Sequence, residues 1–280
     1  FGKSGPNNSA YCYPQINALH YVCTLEPNQN WNLTQVLSLL PNGPAGTLPS
    51  ASDLNASMKL LEKTEYDKCC TALKNRFESL AGIRSIETGD CEFDNYVNHW
   101  LPLQQDWICS LDRGWPSGMR GSRDSANDFT AMVPLDAAAS RQIILQLCEC
   151  QRNDGWFPRQ YSALGKKGKH DLRGHVDAGC WVVELLYEYL CWTKDFGILK
   201  QNTPWLNSDQ QNSVFEHILK AVEFFITAQN LGEHGLCKIG EGDWNDAVNL
   251  AGLKGRGESV MVSCQTVIAL TQICEILQHL

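Results

Sequence analysis

From Phe93 onward, apolar segments with helical periodicity alternate with long polar stretches. The first segment, 93–111 (FDNYVNHWLPLQQDWICSL), predicts a helix. Pro102 is its expected kink, because proline offers no N–H to the carbonyl four residues back. Residues 134–150 predict a second helix. Residues 177–192 are apolar on nearly every side, the pattern of a helix covered on two faces. In 214–229, Phe215, Ile218, Leu219, Val222, Phe225 and Ile226 recur at the spacing of one helical face. Residues 258–280 predict the last helix. No comparable series of strands intervenes. Helices joined by long loops point to a two-layered helical toroid whose loops carry the site. A plain bundle fits less well, since bundles use shorter connections.

Upstream the pattern changes. Residues 1–50 are rich in Pro, Asn and Gly, with one strand-like run at 20–26 (HYVCTLE), and read as the C-terminal edge of a β-rich domain. Ser52 and Asp53 can start a helix, and 66–80 continues in helical fashion. The chain opens on Phe1, and 271–280 (TQICEILQHL) stops inside a periodic apolar segment, so the expectation is an internal piece of a longer protein.

Composition limits the choices. Apolar residues make up 43% and charged ones 19%, enough apolar surface for a sizeable core. A net charge of −8 without any Lys/Arg run argues against a nucleic-acid surface. No uninterrupted apolar run has the length of a membrane span, and no basic-then-apolar leader pattern opens the chain. The 13 cysteines contain no CxxC pair, and Cys180, Cys191, Cys264 and Cys274 fall in apolar helical stretches. They read as buried free thiols of a reducing, cytoplasmic compartment, without a metal site.

The chemistry concentrates in 240–249 (GEGDWNDAVN). A calcium loop started at Asp243 fails, because Ala247, Val248 and Lys254 stand where an oxygen ligand, Gly and Glu belong. Helix capping by Asp243 or Asn245 explains one acid, not Asp243 and Asp246 flanking Trp244. A carbohydrate site uses all of them: the indole as a flat apolar face, amides and acids for hydroxyls, and one desolvated carboxyl as proton donor.

A second cluster lies in 114–136 (GWPSGMRGSRDSANDFTAMVPLD), where Arg120, Arg123, Asp124, Asn127 and Asp128 could hold vicinal hydroxyls or pin the loop as an ion-pair network. A third, 171–181, holds His175 and Asp177, with Asp177 readable as a helix cap. In 252–259 (GLKGRGES) the glycines mark a tight turn but lack the ending of a phosphate-cradling loop.

The order NHWLPLQ, GMRGSRDSANDFTAMVPLD, YEYLCWTKD, GEGDWNDAVN and GRGES resembles the inverting β-glucoside phosphorylases of glycoside hydrolase family 94 and the related β-1,3-glucan phosphorylases, over roughly residues 93–280. The resemblance implies a mainly α fold: the C-terminal edge of a β-sandwich at 1–50, a helical linker at 51–88 and the first part of an (α/α)6 barrel at 89–280. It also implies phosphorolysis of β-linked gluco-oligosaccharides to α-glucose 1-phosphate, with inorganic phosphate as co-substrate and no cofactor.

Asp246, the second acid of DWND, would be the general acid, beside Asp243. Trp244 would meet the acceptor-side sugar. Arg123 and Asp124 would hold the donor-side sugar, with Arg120 a further donor-site arginine. Arg113 would be a phosphate contact, and the other phosphate ligands would lie beyond Leu280, so the chain alone should be inactive. The full-length protein would be a homodimer with no nucleic-acid or membrane partner. RDSAND stands where cellobiose-type enzymes carry RDxxQD, which opens the question of linkage. A hydrolase on the same toroid, a non-catalytic sugar-binding relative and a helical-repeat protein are the competing readings.

Overall fold

The computed structural model describes residues 22–33, 51–59, 62–111, 119–162 and 165–280. It falls into two compact units, Phe1–Gly82 and Ile83–Leu280. In the first, residues 22–33 form no strand and turn at Glu26–Gln29, where Gln29 N–H donates to Glu26 O. The expected strand at 20–26 is therefore absent over 22–26, and its first two residues lie outside the described ones. Two helices follow, α1 (Ala51–Lys59) and α2 (Lys63–Ala81), the elements expected for the linker.

The second unit opens with α3 (Cys91–Asn95), capped by Asp90, whose carboxylate accepts from the amides of Glu92 and Phe93. A π turn over Tyr96–Trp100 joins it directly to α4 (Leu101–Leu111). This turn is how the chain accommodates Pro102. The missing proline N–H breaks the i−4 ladder, and Leu101 N–H reaches back to Tyr96 O instead.

After β1 (Met119–Gly121) comes α5 (Ser122–Met132), a helix where the pattern predicted a polar loop. Its buried face is Ser122, Ser125, Ala126, Phe129 and Met132, a helical stripe whose first members are small and polar. Helix α6 (Ala137–Glu149) follows, with Asp136 capping the amide of Ala139. Strand β2 (Gln160–Ser162) pairs antiparallel with β1, Arg120 opposite Tyr161.

Helix α7 (Ala178–Thr193) is the centre of the unit. It packs against α5 and α6, and later against α8 (Val214–Ile226) and α9 (Val260–Gln278), which is why its sequence is apolar nearly all round. Val182, Val183, Leu185 and Leu186 are completely buried there, with Ile144, Leu147 and Val262 from α6 and α9.

An antiparallel hairpin that the pattern missed, β3 (Asn202–Trp205) and β4 (Ser208–Ser213), leads into α8. Ser213 and Glu216 close a capping box at its start. Helix α9 buries Val262, Thr266, Ala269, Ile273 and Ile276. By length and a mean hydropathy of 1.6 it could cross a membrane, but its buried stripe packs on α7 and α8.

The described cysteines are free thiols. Cys180 is buried as expected, whereas Cys191, Cys264 and Cys274 are exposed, because they lie off the inward faces of α7 and α9.

Candidate functional site

Three stretches far apart in sequence converge at the N-terminal ends of α5 and α7. The start of α5 is fixed from below by 158–162: Ser122 Oγ donates to Pro158 O at 2.6 Å, Ser122 N–H to Arg159 O at 3.1 Å, and Tyr161 Oη to Ser125 Oγ at 2.9 Å. Tyr161 is fully buried, and burial pushes its phenol up to about 12, so it stays a neutral donor. A Cβ at Gly121 would stand 1.9 Å from Asp124 Oδ2, so a larger residue there would displace the Asp124 carboxylate. The Asp124 carboxylate thus folds back over the first turn of α5.

Segment 171–177 enters next. Asp171 is held by Arg173 through Nη2 at 2.6 Å and by Arg159 at 3.5 Å. The Arg173 pairing, aided by Arg159, keeps its carboxyl down at about 2. His175 is buried, and its carbonyl accepts from Trp156 Nε1 at 3.0 Å.

The loop 240–249 then lies alongside. Glu241 N–H donates to Gly174 O, Val176 N–H to Gly242 O, and His175 pairs with Gly242 as a parallel bridge. Gly240 has φ +58, and a Cβ on it would stand 2.5 Å from Gly174 O. This is the close backbone approach that the glycines permit.

The loop's acids and indole are placed as follows. Asp243 is buried: Oδ2 accepts from Ser259 Oγ at 2.6 Å and Oδ1 from Asn245 N–H at 2.9 Å. It caps its own loop rather than a helix. Its carbonyl accepts from Arg123 Nη1. The same nitrogen lies 3.5 Å from Asp177 Oδ2, and the guanidinium carbon sits 5.2 Å from the Trp244 ring centroid. Trp244 also packs on Trp181, 5.2 Å between centroids at 42°. With 44% of its surface exposed, Trp244 presents the rest of its indole outward. Asp246 opens a short 3-10 helix, Asp246–Ala251, two residues beyond Trp244. Its side chain lies outside what is described, as does Arg113 altogether.

The structure therefore brings together Arg123, Asp243 and Trp244 among the expected residues. Arg120 faces elsewhere, with Nη1 and Nη2 each 3.3 Å from the carbonyls of Cys109 and Ser110, where it caps the last turn of α4. Two residues were undervalued in the sequence. Asp177 looked like a cap, and Trp181 looked like one apolar residue in an apolar helix. The only hint was an indole one turn after an acid.

The turn expected at 252–259 is present, with Gly255 at φ +66 and its N–H on Gly252 O. Among the described residues no cluster of metal-ligating side chains forms. A separate cavity of about 280 Å³ opens between the C-terminal ends of α7 and α9, lined by Tyr187, Phe196 and His279 among others, and none of the candidate residues lines it.

Residues 77–279 match the model of the Glycosyl hydrolase 94 superfamily, catalytic domain. Similar proteins include 3-O-beta-D-glucopyranosyl-beta-D-glucuronide phosphorylase of Paenibacillus borealis, 25% identical over 93% of this chain and 33% of its own length. Solabiose phosphorylase of the same organism is 26% identical over 96% of this chain and 33% of its own. Cellobionic acid phosphorylase of Neurospora crassa is 28% identical over 79% of this chain and 28% of its own. The chain thus spans about a third of the length of these curated relatives.

Proposed function

The chain belongs to the glycosyl hydrolase 94 superfamily, and from that membership we propose that its parent protein is an inverting phosphorylase of β-linked gluco-oligosaccharides, its helices forming the first part of an (α/α)6 barrel. The observation that carries this reading is the Trp244 platform. An indole is supported by Arg123 and Trp181 and left half-exposed, with a carboxylic acid, Asp246, two residues along a turn. A flat aromatic face stacks on the apolar face of a pyranose ring while neighbouring polar groups take its hydroxyls.

Trp244 then meets the acceptor-side sugar, and Arg123 with Asp124 holds the donor-side sugar. Asp246 is the general acid. A phosphate oxygen forms its bond to the anomeric carbon from the face opposite the leaving group. The glycosidic C–O bond breaks, its electron pair stays on the leaving oxygen, and that oxygen takes the proton of Asp246. The products are α-glucose 1-phosphate and a shortened sugar with a free hydroxyl. One enzyme carboxyl suffices, because phosphate needs no base to become a nucleophile, whereas an inverting hydrolase requires a second carboxylate for water.

The test is made on the full-length protein. Wild type and Asp246→Asn are given glucose 1-phosphate with a panel of β-linked acceptors, and phosphate release is followed. Release by wild type, reduced at least about 10³-fold in the variant, supports the reading. Cleavage of β-glucosides by water, independent of phosphate, replaces it with a hydrolase.

A further inference from the structure

We propose that Asp177 is a positioning residue: its buried carboxylate fixes Arg123 and Trp181 together and, through them, the plane of Trp244. The proposal rests on reading Trp244 as the sugar platform.

Asp177 occupies the N-cap position of α7, where a carboxylate ordinarily accepts from the first amides of the helix. It makes no such bond, and its backbone is already helical, at φ −78 and ψ −16. Capping therefore does not account for it. The side chain is wholly buried and turned toward the site. Oδ2 accepts from Trp181 Nε1 at 3.2 Å, one helical turn on, and lies 3.5 Å from Arg123 Nη1. These are the two groups that flank Trp244, each 5.2 Å from its ring. One oxygen therefore addresses both supports of the platform.

Oδ1 is buried with no hydrogen-bond partner, a state that costs free energy. Burial pushes the carboxyl up, Arg123 opposes that shift, and nearby Asp243 adds to it. The fold thus keeps an expensive acid in a place where an apolar residue would pack, and the acid's contacts all lead to Trp244. A positioning role explains the placement, the missing cap and the shared oxygen at once.

The test compares Asp177→Asn, Trp181→Phe and Asp177→Ala in the full-length protein, with and without Trp244→Phe. The readouts are near-ultraviolet circular dichroism and steady-state kinetics. Asp177→Asn keeps the shape and a neutral acceptor, so it folds even where Asp177→Ala does not. The expected result is a changed indole signal in Asp177→Asn. That change is much smaller when Trp244 is already Phe, because only the contribution of Trp181 is left, and it is accompanied by at least a tenfold rise in KM for the sugar, in Asp177→Asn and in Trp181→Phe alike, with a smaller change in kcat. The proposal is overturned by an unchanged signal in Asp177→Asn, or by a change of equal size in the Trp244→Phe background. The spectral arm needs no turnover. Absent phosphorolysis with a Trp244-dependent signal removes the functional reading and leaves the positioning of Trp244 standing.

Discussion

Arg123 donates its Nη1–H to the main-chain carbonyl of Asp243, 120 residues further along the chain. The same guanidinium pairs with Asp177 and lies over Trp244, so one planar cation on α5 serves three groups, one at the N-cap of α7 and two in the 240–249 loop. A lysine supplies the charge but not the flat fork. Arg123→Lys is expected to reduce kcat/KM for phosphorolysis at least about 100-fold while the protein still folds. Arg123→Ala also leaves Asp177 buried without its counter-charge and should lose about 3 kcal/mol of stability. Urea unfolding beside steady-state kinetics checks both. Equal kinetics for Lys and Arg would show that charge alone matters at this position.

Ser259 has two tasks with one oxygen. Its Oγ accepts from Val262 N–H at 3.1 Å as the N-cap of α9, and donates to Asp243 Oδ2 at 2.6 Å. Ser259→Ala should cost about 1–2 kcal/mol from the lost cap, plus more because a buried carboxylate loses a donor. Ser259→Thr keeps the hydroxyl and should recover most of it. Thermal unfolding of the three proteins decides. A loss of equal size in Thr and Ala would mean that the hydroxyl is not the cause.

Gly252 lies against the backbone of Gly240, such that a Cβ would come within 1.4 Å of Gly240 O. Both partners of the clash are backbone-defined, so the loop itself must move. Gly252→Ala is expected to destabilise the protein by about 2 kcal/mol and to displace Trp244, lowering sugar affinity more than a surface mutation of similar stability cost. Isothermal titration with a β-linked disaccharide measures that affinity, and a variant that binds normally removes Gly252 from the support of the loop.

Much of this was legible before the structure, and the limits are physical. α7 announced itself because burial on all sides demands continuous apolar sequence. The GEGDWND motif announced itself because acids, amides and an indole rarely share a loop. The α5 helix was hidden, because its buried face begins with Ser122 and Ser125, whose hydroxyls bond to Pro158 and Tyr161 across the fold. No local pattern reveals such partners. The β3–β4 hairpin was hidden for the same reason: Ser208–Ser213 is polar throughout, and only its pairing makes it a strand. Arg120 and Arg123 looked alike in sequence, yet one caps α4 and the other bridges to the 240–249 loop. Asp177 differs from a cap in its helical backbone and in where its carboxylate turns, toward the distant Arg123, and neither shows in the sequence.

A final prediction concerns a group away from the site. His217 of α8 is fully buried against Trp205, ring centroids 3.7 Å apart. Gln151 Oε1 accepts from its Nδ1 at 2.8 Å, while Thr203 Oγ1 meets Nε2 at 3.0 Å. Gln151 turns its own Nε2 to the carbonyls of Gly155 and His217, which fixes its oxygen toward the ring. Nε2 also lies 3.2 Å from the Thr203 carbonyl, which with Glu216 favours a protonated ring, but burial outweighs both and lowers His217 to about 4 from the ordinary 6.5. The unfolded chain takes up a proton below about pH 6.5, and the folded chain does so only near 4. Stability from this residue is therefore complete above pH 6.5 and falls as the pH drops from 6.5 toward 4, by about 3 kcal/mol in all. Comparison with His217→Gln isolates this residue, because carboxyls that burial pushes up, such as Asp177 and Glu184, titrate alike in both proteins. Urea unfolding of wild type at pH 7, 6 and 5 should show a loss of about 1.4 kcal/mol per pH unit once below 6.5. His217→Gln should start lower at pH 7 and lose that slope. A slope that survives the substitution would assign the proton uptake to another group.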